Sequence, residues 1–348
     1  MTKIHYPALL PLSWLYRGLV QLRNCGYEKG ILPVQKLPAR VLSVGNLSVG
    51  GTGKTPLTIF LANALQQEGW HTAIVARGYR RAGHGTCIVS DGRGLRADLH
   101  ASGDEPQLLA AACAGTPVIV DESKTRAAQV AVAQFQPQVI LIDDGFQHRR
   151  LHRDLEIVLA PAELLRGAAW LLPAGPLREP LGNLRRAQLL LLTGLSALAA
   201  AAQEALHKHC ADHFGVKTFA LEFQPRGLHP LIGGEALPAA AAADRRAVLV
   251  SGIANPARFV EMLRGLGIQP VEILNFSDHY NYRASDAQRL VDLMVRSRSD
   301  LLITTGKDAV KLRQFDCLRR LPAYALEIQA MPAPDFLPAV KQVLGAAE

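Results

Sequence analysis

Residues 41–55 read VLSVGNLSVGGTGKT, and this stretch decides the fold. Val41, Leu42 and Val44 suit a buried strand, Gly45, Gly50, Gly51 and Gly53 suit a tight turn, and Lys54 and Thr55 open a helix. A bound polyphosphate needs several backbone N–H groups aimed into one concavity, and residues without side chains let the backbone come close. In Ser48-Val49-Gly50-Gly51-Thr52-Gly53-Lys54-Thr55 the glycines supply that freedom and the helix start adds a positive end. Lys54 can reach the β- and γ-phosphates, and the Thr55 hydroxyl can ligate magnesium. The usual G-x-x-x-x-G-K-[ST] pattern has glycine where this chain has Ser48. The strand, turn and helix together still predict a phosphate loop for ATP with Mg2+.

Working outward, short β-rich runs at 40–45, 72–76, 117–120 and 138–143 alternate with helical stretches at 55–68, 105–113 and 123–135. That rhythm predicts an α/β fold, a P-loop NTPase-like parallel sheet covered by helices. Further strands are expected at 155–159, 188–193 and 218–223, and an Ala-rich helix at 195–213. Around 233–246 a Gly-Gly pair, Pro238 and a run of alanines interrupt the pattern, which resumes at 247–252, 256–265, 271–276, 285–296 and 301–305. The expected organisation is a phosphate-loop domain over 1–228, a linker or crossing over 229–246 and a smaller α/β domain over 247–348, with a cleft between them.

A second acidic signal follows the apolar run 138–142. Asp143 and Asp144 stand immediately after it, in DDGFQH. Ligands of parallel α/β sheets gather at the carboxyl ends of strands, the rim that also carries the phosphate loop. Asp143 is thereby placed to hold magnesium opposite Thr55, and Asp144 and His148 to orient metal or substrate.

Composition narrows the partners without choosing one. The chain has 348 residues, 38 Lys and Arg against 30 Asp and Glu, and a net charge of +8, which favours anionic partners. Its five cysteines form no Cys-x-x-Cys pair, which speaks against a disulfide framework or a zinc knuckle and fits a reducing cytoplasm. The segment 8–20, ALLPLSWLYRGLV, is too short to span a bilayer, is interrupted by Pro11 and Arg17, and lacks a cleavage site. It suits either a helix lying in a membrane interface or one packed on the protein's own core.

The strings GNLSVGGTGKTP, RGYRR, SGDEPQLLA, DDGFQHRRL, GPLREP and FSDHY, in this order, resemble the tetraacyldisaccharide 4′-kinase family of lipid A biosynthesis. The resemblance implies transfer of the ATP γ-phosphate to the 4′-hydroxyl of an acylated disaccharide 1-phosphate lipid. It also implies magnesium and a peripheral site at the cytoplasmic face of the bacterial inner membrane. Asp104, in SGDEP, matches the candidate base for the attacking hydroxyl, and His279, in FSDHY, the histidine that pairs with it. They stand 175 residues apart, so closure of the two domains is the expected way to assemble them. Glu105 is a neighbouring polar or metal-linked position. Arg126 and Arg178 match positions near the reacting phosphate or substrate, where a planar guanidinium suits phosphoryl oxygens. Tyr79, Glu179 and His148 are further substrate-site candidates. The chain departs from the family at Ala76, often Ser, and at Gly306, often Glu within T-E-K-D.

The main alternative is a nucleotide-switched partition or assembly ATPase, which shares the Gly-Gly-x-Gly-Lys-Thr core but usually carries a second lysine early in the loop, where this chain has Val49. No nucleic-acid partner is expected, since only net charge favours one. Oligomeric state is not legible.

Overall fold

The computed structural model describes residues 6–167 and 169–345. Its strands are β1 (Arg40–Asn46), β2 (Thr72–Ala76), β3 (Cys87–Asp91), β4 (Pro117–Val120), β5 (Val139–Asp143), β6 (Leu155–Pro161), β7 (Leu189–Thr193), β8 (Lys217–Pro230), β9 (Arg246–Ser251), β10 (Gln269–Asn275), β11 (Leu301–Thr305) and β12 (Ala323–Pro332). They form one sheet in the order β10-β9-β11-β12-β8-β7-β6-β1-β5-β2-β4-β3. Pairing is parallel except at β8–β12 and β3–β4. Runs such as Val139-Ile140-Leu141-Ile142 and Leu189 to Leu192 are apolar throughout because helices cover both faces of their strands.

The helices are α1 (Leu10–Glu28), α2 (Lys54–Gln67), α3 (Leu99–Ser102), α4 (Asp104–Ala112), α5 (Lys124–Phe135), α6 (Ala162–Leu165), α7 (Ala200–Phe214), α8 (Pro256–Gly265), α9 (Ala284–Ser297), α10 (Gly306–Leu312) and α11 (Phe336–Leu344). Several start where a short polar side chain satisfies a free backbone N–H. Ser123 caps α5, Asn255 caps α8 ahead of Pro256, and Thr305 caps α10 through the Asp308 N–H.

Two groups of cores flank the β8–β12 seam. Leu42, Leu57, Leu61, Leu109 and Leu141 pack in the first half, and Val248, Val250, Leu290, Leu302 and Leu312 in the second. The end of the chain crosses back: Phe336, Val340 and Leu344 of α11 join the cluster of Leu57 and Leu61. The boundary drawn at residue 228 falls inside β8, whose ladder with β12 carries the sheet across both halves. We propose two lobes, with the crossing over 229–246.

Candidate active site

The loop after β1 is fastened on both sides. The Asn46 side-chain amide donates to Thr52 Oγ1 at 2.9 Å, and Gln147 Nε2 to the Asn46 carbonyl at 2.8 Å. Across the loop, Val49 N–H meets the Pro176 carbonyl at 2.9 Å and Arg178 N–H meets the Leu47 carbonyl at 2.7 Å. Gly50 and Gly53 take left-handed φ values of 105° and 89°. At Gly53 a Cβ would also crowd the tip of Phe223, 2.0 Å from its Cζ, and the left-handed backbone demands glycine there. Ser48 is not among the left-handed residues and is buried, bridged to Leu177. Its departure from the glycine pattern therefore costs the loop no required conformation. Lys54 is the first residue of α2 and Thr55 the second.

β5 lies beside β1 with Val44 opposite Asp143, which brings the acidic strand end to the rim of the loop. Burial pushes the Asp143 carboxyl up to about 6, with Glu105's charge the next contributor and Lys54 opposing it. Its Oδ1 accepts the Thr58 hydroxyl at 3.2 Å. Asp144 follows at a left-handed φ of 53°. Its carboxylate faces Arg178 Nη1 at 3.0 Å and Lys54 Nζ at 3.4 Å. Burial alone would raise Asp144, but Lys54, Lys124 and Arg178 outweigh it and hold the group well below the usual carboxylate range. Lys124 is buried beneath this turn, donating to the Asp143 carbonyl at 2.7 Å and to the Asp144 carbonyl. Burial takes its ammonium down to about 8.

The far wall comes from the second half. His279 Nδ1 stands 3.1 and 3.0 Å from the two oxygens of Asp104, the first residue of α4. The Glu105 N–H also reaches Asp104 Oδ1 at 2.9 Å. Burial works against charge at Asp104, but the His279 bond and charge, with Lys307 and Lys311, hold it well below its ordinary value. Glu105 itself pairs with Lys307 Nζ at 2.7 Å. The Tyr79 ring meets the His279 ring edge-on at 5.0 Å, and Arg80 Nη1 donates to the Asp278 carbonyl at 3.1 Å.

Three candidates have other contacts. Arg126 forms a fork on Asp121, with both bonds at 2.6 Å. His148 Nε2 lies 3.3 Å from Thr125 Oγ1, and burial, then Lys124, take its imidazole down to about 4. Glu179 is fully buried and saturated by Arg23 at 3.0 Å, Asn24 at 3.2 Å, Asn183 at 2.6 Å and Arg186 at 2.8 Å. Its carboxylate therefore anchors α1 rather than facing a ligand. The pair Arg178–Glu179 thus points two ways, one side chain to Asp144 and the next to α1. Thr58, Lys124, Lys311 and Phe223 escaped sequence reading, since none belongs to a motif with its own spacing.

The anchoring reverses the usual amphipathic helix. α1 buries Ser13 and Asn24 against the body, Ser13 Oγ donating to the Leu171 carbonyl at 2.9 Å, while Leu12, Trp14, Leu15, Leu19 and Leu22 are each more than half exposed. Val20 and Tyr16 of the same helix pack on the body, so α1 sets a narrow inner stripe on the core and leaves a broad apolar face exposed. Among the described residues no helix is long and apolar enough to cross a membrane.

A phosphate loop on a parallel sheet, with carboxylates on its rim and a part-buried Asp–His pair opposite, defines a P-loop phosphotransferase. The family described as Tetraacyldisaccharide-1-P 4′-kinase matches residues 5–345. The chain is 38% identical to the tetraacyldisaccharide 4′-kinase of Bdellovibrio bacteriovorus over 88% of its length and 89% of that protein. It is 37% identical to the enzyme of that name from Aquifex aeolicus, over 89% and 90% respectively. The crystal structure described as the "apo" form of LpxK from Aquifex aeolicus in complex with ATP matches at a TM-score of 0.77, with 33% identity over 97% of both chains. This chain belongs to the tetraacyldisaccharide-1-P 4′-kinase family.

Proposed function

We propose that this chain transfers the γ-phosphoryl group of ATP to the 4′-hydroxyl of a tetraacyldisaccharide 1-phosphate in lipid A biosynthesis. The observation that carries the reading is the Asp104–His279 contact, made between the two halves beside a phosphate loop. The loop amides and Lys54 hold the phosphates, and Arg178 lies against Asp144 at their edge. Asp104 accepts the proton of the hydroxyl as its oxygen bonds to the γ-phosphorus, the bond to the bridging oxygen breaks, and ADP leaves. His279 orients that carboxylate, and Tyr79 packs on the imidazole. Phosphoryl transfer needs position and charge neutralisation more than covalent help, which suits a site built of donors and carboxylates.

Magnesium fits the donor set. Asp143 is a buried carboxylate with no ion pair among the described residues, and burial, then the charge of Glu105, raise its pKa, a shift that a bound cation there would offset. Thr55 and Asp143 would hold the metal, with Glu105 beyond. Bound there, it would neutralise charge on the transferring group.

The exposed Leu and Trp face of α1, with Arg17 and Lys29 at its flanks, supports a membrane-surface role at the cytoplasmic face of the inner membrane. Binding to anionic vesicles should fall when Trp14 and Leu22 are changed to Glu; unchanged binding would remove α1 from that role.

Acceptor dependence tests the function. ADP release should rise steeply when the tetraacylated disaccharide 1-phosphate is added in detergent, and the product should carry phosphate at both sugars. Equal ADP release without acceptor would point instead to a switch ATPase.

A further inference from the structure

Helix α10 sets a buried lysine, Lys311, against Asp104. The side chain of Lys311 is 6% exposed, and its Nζ lies 3.2 Å from Asp104 Oδ2 and 3.3 Å from Asp308 Oδ1. It aligns a hydrogen bond to neither, so its hold on both is by charge. An ammonium gives up its hydration on burial and needs opposing charge or hydrogen-bond acceptors there.

Asp308 ties this ammonium to the other half of the pair. It is wholly buried, and its Oδ2 accepts the Gly252 N–H at 2.9 Å and the Thr305 hydroxyl at 2.7 Å. The carbonyl of the same Gly252 accepts the His279 N–H at 3.2 Å. A Cβ on Gly252 would stand 3.1 Å from Asp308 Oδ1 and 3.3 Å from the Tyr282 hydroxyl, so the backbone just after β9 sits closely against both side chains. His279 sits at a left-handed φ of 58°, a conformation that its surroundings must impose. Asp308 thus reaches Asp104 through Lys311 and His279 through Gly252. The second ion pair between α4 and α10, Glu105–Lys307, has side chains 31% and 23% exposed and is more screened.

We propose that Lys311, held by Asp308, is a positioning residue for phosphoryl transfer: it fixes Asp104 against His279 and thereby makes a competent site depend on α10 being seated on α4. The inference rests on Asp104 being the proton acceptor proposed above. Without the ammonium, Asp104 and Asp308 face each other as buried like charges, and Asp104 moves off His279. Lys311 acts through Asp104 and leaves the phosphate loop intact.

The test measures kcat and the KM for ATP on the full chain with lipid acceptor in detergent, for wild type, Lys311→Met, Lys311→Arg, Asp104→Asn and the Asp104→Asn/Lys311→Met double variant. Lys311→Met should lower kcat roughly tenfold to a hundredfold, the scale of a displaced catalytic group, with the KM for ATP little changed. Lys311→Arg should recover most of the loss. In the Asp104→Asn background Lys311→Met should cost less than about twofold, because residues acting as a unit are not additive. An equal loss in both backgrounds, or an unchanged kcat in Lys311→Met, overturns the assignment. An unchanged kcat in Asp104→Asn would instead overturn the role of Asp104 itself. If Lys311→Met fails to fold, Asp308→Asn/Lys311→Met against Asp308→Asn makes the same comparison with one stranded charge removed.

Discussion

Asp104 Oδ2 and His279 Nδ1 meet at 3.0 Å, although 175 residues separate them in the chain. One belongs to the first turn of α4 and the other to the turn after β10, so the fold brings together residues from opposite parts of the chain. Asp104→Ala should lower kcat roughly 10²–10⁴-fold, the range for loss of a general base, while ATP affinity stays close to wild type. His279→Ala should lower kcat less, because it orients rather than accepts. Steady-state kinetics with nucleotide binding checks both, and a loss confined to the KM for ATP would contradict the assignment.

Glu179 should matter for stability before chemistry. Removing it leaves the part-buried Arg186 and the more exposed Arg23 without their carboxylate. Breaking one side of such a network costs about 3 kcal/mol. Denaturant unfolding of Glu179→Ala should show a loss near that size. A stable variant with abolished substrate binding would return Glu179 to the substrate site.

His148 sets a pH dependence whose sign follows from its burial. Its imidazole is held at about 4, against 6.5 for the ordinary group, so between these values the unfolded chain binds more protons than the folded one. Stability from this group is complete above pH 6.5 and is lost as pH falls toward 4. Relative to wild type, His148→Gln should gain in Tm as pH is lowered from 8 to 5. A difference that stays constant with pH would contradict the assigned environment.

The strands nearest the site were the most legible part of the chain. Those at 72–76 and 117–120 match their expected limits, because buried parallel strands read as uninterrupted apolar runs. Strand β12 and helix α11 escaped, since their role is set by a partner strand about 100 residues earlier and by a core cluster in the other half. The helix expected at 195–213 begins at Ala200, after a turn. Among site residues, those with motif spacing were visible: Ser48 to Thr55 as a loop, Asp143 and Asp144 as a strand end. Lys124 and Lys311 were not, because a buried lysine has no local pattern and is recognised only by the carbonyls or carboxylates that the fold brings to it. Glu179 carried the opposite lesson, since a charge beside Arg178 in GPLREP reads as a ligand until its four partners are seen.

The most direct test follows label from γ-labelled ATP into purified tetraacyldisaccharide 1-phosphate, in detergent with magnesium, for wild type, Lys54→Ala and Asp104→Ala. Labelled lipid from the wild type, with a severe loss in both variants, is the predicted result. Acceptor-independent release of labelled phosphate, with none in the lipid, would contradict the account and leave only a nucleotide-hydrolysing loop.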